Sequence, residues 1–306
     1  MMKVLVTGGS GMVGRNLCEH LKNLNYFVLS PTRNELDLMN LSQIQLYLKT
    51  NKPDCVVHCA GLVGGIQANI SKPFSFLYIN CQIGLNLINS CIEFGIPKLI
   101  NLGSSCMYPK DSEIALKEDM ILSGYLEPTN EGYAIAKIAT AKLCEFADIQ
   151  YGINYKTIIP CNLYGKYDKF DSENSHMIPA VIRKIHNANL GNYEPVIWGN
   201  GTARREFMYA EDLSDFIEWS LRNYEKLELL TNIGLGFDYS ILDYYKEISK
   251  VVGYKGNFTF DKTKPEGMKK KLCSIEKQKK LGWSPKYTLS EGLKKTYEFY
   301  LANYEI

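Results

Sequence analysis

Short apolar runs alternate with longer amphipathic stretches along the first half of the chain. Five runs dominated by apolar and β-branched residues are predicted to be strands, at residues 3–7, 26–29, 55–59, 98–102 and 156–159. Longer stretches with helical patterning lie between them, roughly at residues 12–24, 73–94 and 131–151. Continuous apolar runs suit strands that are buried on both faces. We therefore predict an α/β fold with a Rossmann-type, doubly wound parallel sheet.

A glycine-rich segment, TGGSGMVG at residues 7–14, follows the first predicted strand directly and opens the next helix. Its spacing is GxxGxxG rather than GxGxxG. Glycines at this point let the backbone turn tightly and approach a pyrophosphate at the helix N-terminus. We predict that the residues of this loop that contact a dinucleotide are Gly8, Gly11, Met12, Val13 and Gly14.

The residues after the second predicted strand indicate which dinucleotide binds. NAD sites usually place a carboxylate here to bind the ribose 2′-hydroxyl, whereas this chain reads LSPTR at residues 29–33. Arg33 can instead pair with a 2′-phosphate, so NADP is favoured. Glu35 could still reach a ribose, which leaves NAD open. Asp37 and Leu38, expected to end a short third strand, would flank the adenine.

Beyond about residue 162 the alternation of strands and helices loosens. We predict a dinucleotide-binding Rossmann domain over residues 1–162 and a smaller, mainly substrate-binding lobe over residues 163–306, with some segments of the lobe returning to the sheet. The run of three lysines at 269–271 would by itself be a solvated face. No repeat or flexible linker divides the sequence.

Composition favours a small-molecule partner. The 306 residues carry a formal net charge of only +2, which disfavours nucleic acid or a membrane surface as the main partner. Nine cysteines, odd in number and without CxxC spacing, indicate reduced thiols of a cytoplasmic protein, and we predict no metal site. No apolar stretch reaches the ~18 residues of a membrane span, and no leader segment is expected before the first strand.

A tyrosine and a lysine lie one helical turn apart in the segment YAIAK, residues 133–137. Spacing of four places Tyr133 and Lys137 on the same face of a helix. A nearby ammonium favours the phenolate, so we expect Tyr133 to act as an acid or base nearer neutral pH than a free tyrosine. The strand at 98–102 would deliver Ser104 to the same edge of the sheet, where Ser104 and Tyr133 could bind one substrate oxygen.

The glycine loop, the Ser-Tyr-Lys set and PCNLYG at residues 160–165 resemble the extended short-chain dehydrogenase/reductase family, which modifies nucleotide sugars. Within it, LGSSCMYPK (102–110), LEPTNE (126–131), NSHMIP (174–179) and WGNGT (198–202) are similar to GDP-L-fucose synthases. The resemblance spans nearly the whole chain. It implies NADPH-dependent reduction of the C4 ketone of a GDP-linked 4-keto-6-deoxy sugar, together with 3,5-epimerisation.

The resemblance also implies roles for individual residues. Cys106 and His176 fall at the positions of the base and acid that act at C3 and C5, next to the activating ketone. Ser104 and Tyr133 would polarise the ketone, and Tyr133 would protonate the new alkoxide. Lys137 would tune Tyr133 and hold the nicotinamide ribose. Cofactor-binding positions outside the glycine loop and the 33–38 segment are Tyr133, Lys137, Leu163 and His176.

Substrate binding is assigned in the same way. The implied positions are Ser105, Asn162, Lys184, Trp198, Arg205 and Lys271, with cations suited to a diphosphate. Three positions depart from the expected pattern. Lys184 and Ser10 each stand where an arginine is expected, and Ser274 stands where an aspartate is expected. These departures leave the sugar open, and a GDP-linked 6-deoxy-heptose that is only reduced at C4 is an alternative.

The same resemblance bears on alternative functions and on the assembly. A 4,6-dehydratase needs acidic groups directly after the catalytic serine, and SCM at 105–107 has none. A 4-epimerase must retain NAD, which fits poorly with Arg33. A non-catalytic NADP-binding sensor is the alternative of a different class.

Related reductases pair through two long helices, so we expect a homodimer formed by residues 73–94 and 131–151.

Overall fold

The computed structural model describes residues 1–112, 114–171, 175–191, 193–264 and 268–304. Its strands are β1 (Lys3–Thr7), β2 (Phe27–Leu29), β3 (Cys55–His58), β4 (Leu99–Leu102), β5 (Lys156–Pro160), β6 (Asn162–Tyr164), β7 (Val196–Trp198), β8 (Arg204–Arg205), β9 (Phe207–Tyr209), β10 (Leu230–Ile233), β11 (Tyr239–Ser240), β12 (Thr259–Asp261) and β13 (Lys270–Lys271). Its α-helices are α1 (Met12–Asn23), α2 (Leu41–Asn51), α3 (Ile66–Ser71), α4 (Pro73–Glu93), α5 (Glu131–Tyr151), α6 (Met177–Gly191), α7 (Ala210–Arg222), α8 (Ile241–Val252), α9 (Glu276–Lys280) and α10 (Leu289–Tyr304).

Six parallel strands form the central sheet in the order β10-β5-β4-β3-β1-β2. Alternate residues of β1 face opposite sides: Val4 and Val6 pack with α1 and α7, whereas Leu5 packs with α2 and α4. Apolar side chains on both faces explain why these strands read as continuous hydrophobic runs. The prediction of a Rossmann-type, doubly wound sheet is confirmed.

The chain returns to this sheet late, because β10 pairs with β5 after the chain has left the sheet for β6 to β9. The remaining strands form three small sheets: β11-β8-β13, β12-β7 and β6-β9. A separate apolar cluster supports this part of the molecule, with Tyr164, Ile182, Tyr244 and Leu293 among its members. The division of the chain at residue 162 stays a prediction.

The five predicted strands and three predicted helices are present, each with ends within one residue of those expected. The short third strand expected at Asp37 and Leu38 is wrong. Asp37 Oδ1 accepts a hydrogen bond from Met39 N at 3.0 Å, and its carbonyl accepts from Asn40 N, so the segment turns into α2. Leu36 and Leu38 are both buried, and apolar residues at alternate positions are also typical of a strand.

All nine cysteines are free. Among the residues that the structure describes, no helix is both long and apolar enough to cross a membrane. In the same part of the chain, His, Cys, Asp and Glu side chains do not come together in groups of three or more that could hold a metal ion.

Candidate active site

The glycine loop has the geometry that a dinucleotide requires. Gly8 adopts φ of +71°, and a Cβ there would lie 2.6 Å from Ala60 Cα, so the position needs glycine. A Cβ on Gly14 would lie 2.2 Å from the Gly8 carbonyl oxygen, which lets α1 pack against the turn. Gly11 caps α1, and a Cβ there would lie no nearer than 3.4 Å to any neighbouring atom, the Gly8 carbonyl oxygen. The loop therefore leaves space for a pyrophosphate at the start of α1, beside Met12 and Val13.

The segment after β2 presents a cation. The Arg33 side chain is 81% exposed, and its Nε lies 3.8 Å from Asp37 Oδ1. The Glu35 carboxylate accepts hydrogen bonds from Thr32 N at 2.7 Å and Thr32 Oγ1 at 2.9 Å, and these bonds lower the pKa of Glu35. Glu35 is thus held in its own turn, whereas Arg33 projects from it. Leu38 is buried beneath this turn.

A serine and a cysteine meet at the carboxyl end of β4. Ser104 caps a single turn of 3-10 helix, Ser105–Met107, and its Oγ accepts a hydrogen bond from Cys106 N at 3.4 Å. The Cys106 thiol donates to the same Oγ at 3.2 Å. Ser105 is buried within the turn. The turn therefore points a hydroxyl and a thiol at one location beyond the sheet.

Helix α5 brings Tyr133 and Lys137 to this location. The Tyr133 hydroxyl lies near Ser104, close enough for the Ser104 side chain to influence its pKa. Lys137 Nζ donates to the Leu102 carbonyl at 2.8 Å and lies 5.8 Å from the centroid of the Tyr133 ring. The three residues, predicted from two separate segments, thus form one cluster.

The expectation that Lys137 brings Tyr133 nearer to neutral pH is wrong. Burial raises the pKa of Tyr133 well above its ordinary value, and the nearby Ser104 side chain opposes this rise only in part. Burial also lowers the pKa of Lys137. Desolvation disfavours both charged forms and outweighs their mutual attraction. Tyr133 is therefore protonated at neutral pH, which is the form of a proton donor.

A lysine far along the chain lies beside the thiol of Cys106. Burial raises the pKa of Cys106, and the charge of Lys271 is the largest influence that opposes this rise. The pKa of Lys271 is lowered by burial, and Cys106 is in turn the largest influence that raises it. This pair was not expected, because the sequence analysis placed Lys271 only at the diphosphate.

His176 precedes α6, and its carbonyl accepts from Ala180 N at 3.1 Å, so its backbone caps the helix. Its Nδ1 lies 3.6 Å from Asp168 Oδ1. The Asp168 side chain is 4% exposed, and its Oδ2 has no hydrogen-bond partner among the residues that the structure describes. Sequence reasoning missed Asp168, since a single aspartate in a loop carries no local signal. Asn174, part of the same resembling stretch, lies outside the described residues.

The positions expected to bind substrate fall into two groups. Arg205 and Lys271 are paired residues of the parallel strands β8 and β13, and Asn162 Nδ2 donates to the carbonyl of Glu206 at 2.8 Å. Burial lowers the pKa of Arg205. Leu163, the next residue in β6, packs against the core.

The second group surrounds β7. Lys184 Nζ donates to the Val196 carbonyl at 2.6 Å and to the Tyr245 hydroxyl at 3.0 Å, and burial lowers its pKa. Trp198, two residues further along β7, is 44% exposed. The Trp198 side chain is therefore partly accessible, with Lys264 Nζ 5.9 Å from its ring centroid, whereas the Lys184 ammonium is held by protein oxygens.

Comparison with known proteins identifies the family of this chain. The chain matches the model of the NAD dependent epimerase/dehydratase family over residues 4–234. It is 54% identical to the GDP-L-colitose synthase of Yersinia pseudotuberculosis, over 98% of both chains, and 46% identical to the GDP-L-fucose synthase of Azorhizobium caulinodans, over 99% of this chain and 98% of the relative. A solved GDP-mannoheptose C4 reductase from Campylobacter jejuni with NADP bound superimposes with a TM-score of 0.88 at 33% identity, covering 98% of both chains. The resemblance inferred from the sequence is confirmed, and the chain belongs to the NAD dependent epimerase/dehydratase family.

Proposed function

We propose that this protein is an NADPH-dependent reductase of the C4 ketone of a GDP-linked 4-keto-6-deoxy sugar, and that it also epimerises the sugar at C3 and C5. The observation that carries the proposal is the cluster of Ser104, Tyr133 and Cys106 at the carboxyl end of β4. Relatives named as GDP-sugar synthases and a C4 reductase support the same reaction class.

The cofactor fits the residues at the amino end of α1. The turn at Gly11 would receive the pyrophosphate, and Arg33 would pair with the 2′-phosphate. NADPH, when bound, would supply the hydride for the ketone carbon. Lys137, held by the Leu102 carbonyl, would donate a second hydrogen bond to the nicotinamide ribose.

Reduction requires a proton for the ketone oxygen. Ser104 and Tyr133 donate hydrogen bonds to that oxygen, which stabilises the negative charge that develops there. Because burial keeps Tyr133 protonated, its hydroxyl is ready to deliver the proton. The neighbouring Lys137 ammonium stabilises the phenolate left behind.

Epimerisation requires removal and return of protons at carbons next to the ketone. Cys106 is the base and His176 the acid, and the enolate is stabilised by the hydrogen bonds of Ser104 to the ketone oxygen. Burial keeps Cys106 as a thiol, so the Lys271 ammonium is needed to favour the thiolate. Asp168 Oδ1, 3.6 Å from His176 Nδ1, would orient the imidazole.

The nucleotide part of the substrate lies along the second half of the chain. Arg205 and Lys271 bind the diphosphate, since their strands present two cations side by side. Trp198 packs against the nucleotide, and Ser105 and Asn162 bind the sugar side. Lys184 joins them once a ligand oxygen replaces one of its protein acceptors.

Two variants of this function have specific support. L-colitose is L-fucose without the 3-hydroxyl, and the 54% identity to a GDP-L-colitose synthase favours a substrate that lacks this hydroxyl. The likeness to a GDP-mannoheptose C4 reductase favours reduction of a GDP-linked heptose without epimerisation. The assembled cluster of Ser104, Tyr133 and Lys137 argues against a non-catalytic sensor.

The test is incubation of the purified protein with NADPH and GDP-4-keto-6-deoxymannose in deuterated water, and in parallel with its 3-deoxy analogue. Oxidation of NADPH with deuterium at C3 and C5 of the product supports the full function, and deuterium at C5 alone from the 3-deoxy analogue supports the colitose type. Reduction without deuterium indicates a C4 reductase only. The proposal would be overturned if the protein showed multiple turnovers neither with any substrate of this panel nor with a GDP-4-keto-heptose.

We also propose a homodimer formed by α4 and α5. These helices pack against each other and expose apolar side chains on their outer surfaces, including Phe74, Tyr78, Phe146 and Ile149. Exposed apolar groups of this size on adjacent helices are typical of a protein interface.

A cytoplasmic location and a role in bacterial surface polysaccharide synthesis complete the proposal, and the nine free cysteines fit a reducing compartment.

A further inference from the structure

Glu206 is a carboxylate buried between β8 and β9, directly after Arg205. It is 1% exposed. Its Oε1 accepts hydrogen bonds from Leu235 N at 2.6 Å and Gly236 N at 2.8 Å, and its Oε2 accepts from Cys273 N at 3.0 Å. Burial raises the pKa of Glu206 to about 7, and the three backbone N–H groups limit this rise. One side chain thus satisfies three backbone donors.

These bonds join segments that lie far apart in the sequence. Leu235 and Gly236 follow β10 of the central sheet, and Cys273 lies two residues beyond Lys271, the end of β13. The backbone carbonyl of Glu206 also accepts from Asn162 Nδ2 at 2.8 Å. Glu206 therefore connects the central sheet to the segments that carry the proposed substrate-binding residues.

The chain provides the space that this carboxylate occupies. A Cβ on Gly234 would lie 2.4 Å from Glu206 Oε1. Gln278 holds both backbone groups of Gly234, donating to its carbonyl at 3.0 Å and accepting from its N–H at 2.9 Å. Gly234 is thus fixed in place, and any side chain there would displace the carboxylate.

Two cations near Glu206, Arg205 and Lys271, require bonds that hold their strands together. Arg205 and Lys271 are paired across β8 and β13, and the charge of Arg205 further lowers the pKa of Lys271, which burial has already lowered. Two desolvated cations on paired strands repel each other. Backbone bonds hold their strands together against this repulsion: Arg204 N donates to the Lys269 carbonyl at 2.8 Å, and the bonds of Glu206 lie directly beside the pair.

We propose that Glu206 is a positioning residue for the substrate diphosphate. Through Leu235, Gly236 and Cys273 it holds the strand of Lys271 against the strand of Arg205, so that both cations reach one diphosphate. The proposal rests on the proposed function, in which these two cations bind that group. Because Glu206 acts through the backbone and not on the reacting atoms, its loss weakens nucleotide binding rather than hydride transfer.

Glu206→Gln tests the proposal. The amide cannot accept all three bonds, since its NH2 group must face at least one backbone N–H. We expect the KM for the GDP-sugar and the Kd for GDP alone to rise roughly tenfold. The rate of hydride transfer in a single turnover and the Kd for NADPH should stay within about twofold, because the proton donor and the cofactor site are elsewhere. Steady-state kinetics give the KM, single-turnover oxidation of NADPH gives the rate of hydride transfer, and calorimetric titrations with GDP and with NADPH give the two Kd values.

Asp212→Asn is the matched control. Asp212, in α7, is also 1% exposed, and it accepts from the backbone N–H groups of Lys286 at 2.7 Å and Tyr287 at 3.4 Å. Both substitutions remove a buried carboxylate that binds backbone donors, so both should lower the melting temperature. Only Glu206→Gln should weaken GDP binding, and an equal effect in Asp212→Asn would overturn the proposal.

Gly234→Ala provides a second variant if Glu206→Gln does not fold. It keeps the carboxylate and forces it to move, so weaker GDP binding is expected again. A folded variant of either kind that binds GDP as the wild type does would overturn the proposal. Titration with GDP needs no turnover, so wild-type protein that binds GDP but reduces no sugar would contradict the proposed reduction alone. Wild-type protein that does not bind GDP would overturn both.

Discussion

The thiol of Cys106 donates a hydrogen bond of 3.2 Å to the hydroxyl oxygen of Ser104. Ser104 also lies near Tyr133, so the proposed base of epimerisation and the proposed proton donor of reduction share one neighbour. A ketone oxygen bound by Ser104 would thus lie close to both groups. This arrangement lets one carbonyl serve proton exchange at its neighbouring carbons and then accept hydride.

Cys106→Ser should separate the two reactions. A serine hydroxyl is a far weaker base than a thiolate, so incorporation of solvent deuterium into the sugar should fall at least ~100-fold. Reduction of a substrate that needs no epimerisation should change less. Deuterium in the product is located by NMR, and NADPH consumption is followed by absorbance. Cys81→Ser, in α4, is the control, and equal loss of both activities in Cys106→Ser would indicate a structural cysteine.

Tyr133→Phe should abolish reduction while NADPH still binds. Removing the hydroxyl takes away the proton donor, and a loss of 10²- to 10⁴-fold, roughly, is expected for such a group. Single-turnover oxidation of NADPH measures the loss, and fluorescence titration measures cofactor binding. Tyr47→Phe, in α2, should behave as wild type. Normal turnover in Tyr133→Phe would exclude this residue as the donor.

Arg33→Ala should weaken NADPH binding and leave NADH binding unchanged. The exposed guanidinium is assigned to the 2′-phosphate, which NADH lacks, so the KM for NADPH should rise by roughly tenfold or more. Kinetics with both cofactors measure the preference. Lys49→Ala, on α2, removes a surface cation elsewhere and is the control. An unchanged preference would point to Glu35 and a ribose hydroxyl instead.

Ile149→Lys should convert the dimer to a monomer. Ile149 is exposed on α5, and a lysine there would place a charge in the proposed interface of α4 and α5. Light scattering of wild type and variant gives the mass of each. Leu190→Lys changes an exposed apolar residue of α6 and should not alter the assembly. Monomeric wild-type protein would exclude this interface.

Glu211 should stabilise the protein in a pH-dependent manner. Burial alone would raise the pKa of Glu211, but hydrogen bonds from Tyr287, Lys166 and Lys295 lower it to about 2. The folded state therefore binds fewer protons than the unfolded state between pH 2 and the ordinary glutamate value of 4.5. The resulting stabilisation is complete above pH 4.5 and is lost as the pH falls toward 2.

Glu211→Gln should therefore lower the free energy of unfolding at neutral pH by roughly 1–2 kcal/mol, since part of the interaction is screened by solvent. The deficit should shrink steadily in acid. Urea unfolding at several pH values measures it, with Glu247→Gln as the control, because Glu247 forms a more exposed pair with Lys250. A deficit that is constant with pH would show that packing, not charge, is responsible.

The strands, the long helices and the glycine loop could be predicted from the sequence, because each depends on a pattern within a few neighbouring residues. Buried parallel strands require apolar runs, and the turn at Gly8 requires a residue that tolerates positive φ. The same reliance on local pattern produced the one strand that is wrong, at Asp37 and Leu38, where alternate burial of leucines accompanies a turn.

Only part of the candidate chemistry could be predicted from local sequence pattern. Ser104, Tyr133 and Lys137 could be grouped because strand ends and helix faces follow from the fold class. Burial, however, is a property of the whole molecule, so the raised pKa of Tyr133 was predicted in the wrong direction.

By itself, the sequence determined the parallel α/β sheet, the dinucleotide loop and the family, since these depend on local periodicity and short motifs. Only the tertiary structure decided that Lys271 lies beside Cys106, that Asp168 faces His176 and that Glu206 holds three backbone groups. Each of these contacts joins residues from separate segments. Their distances and their desolvation exist only once the chain has closed around them.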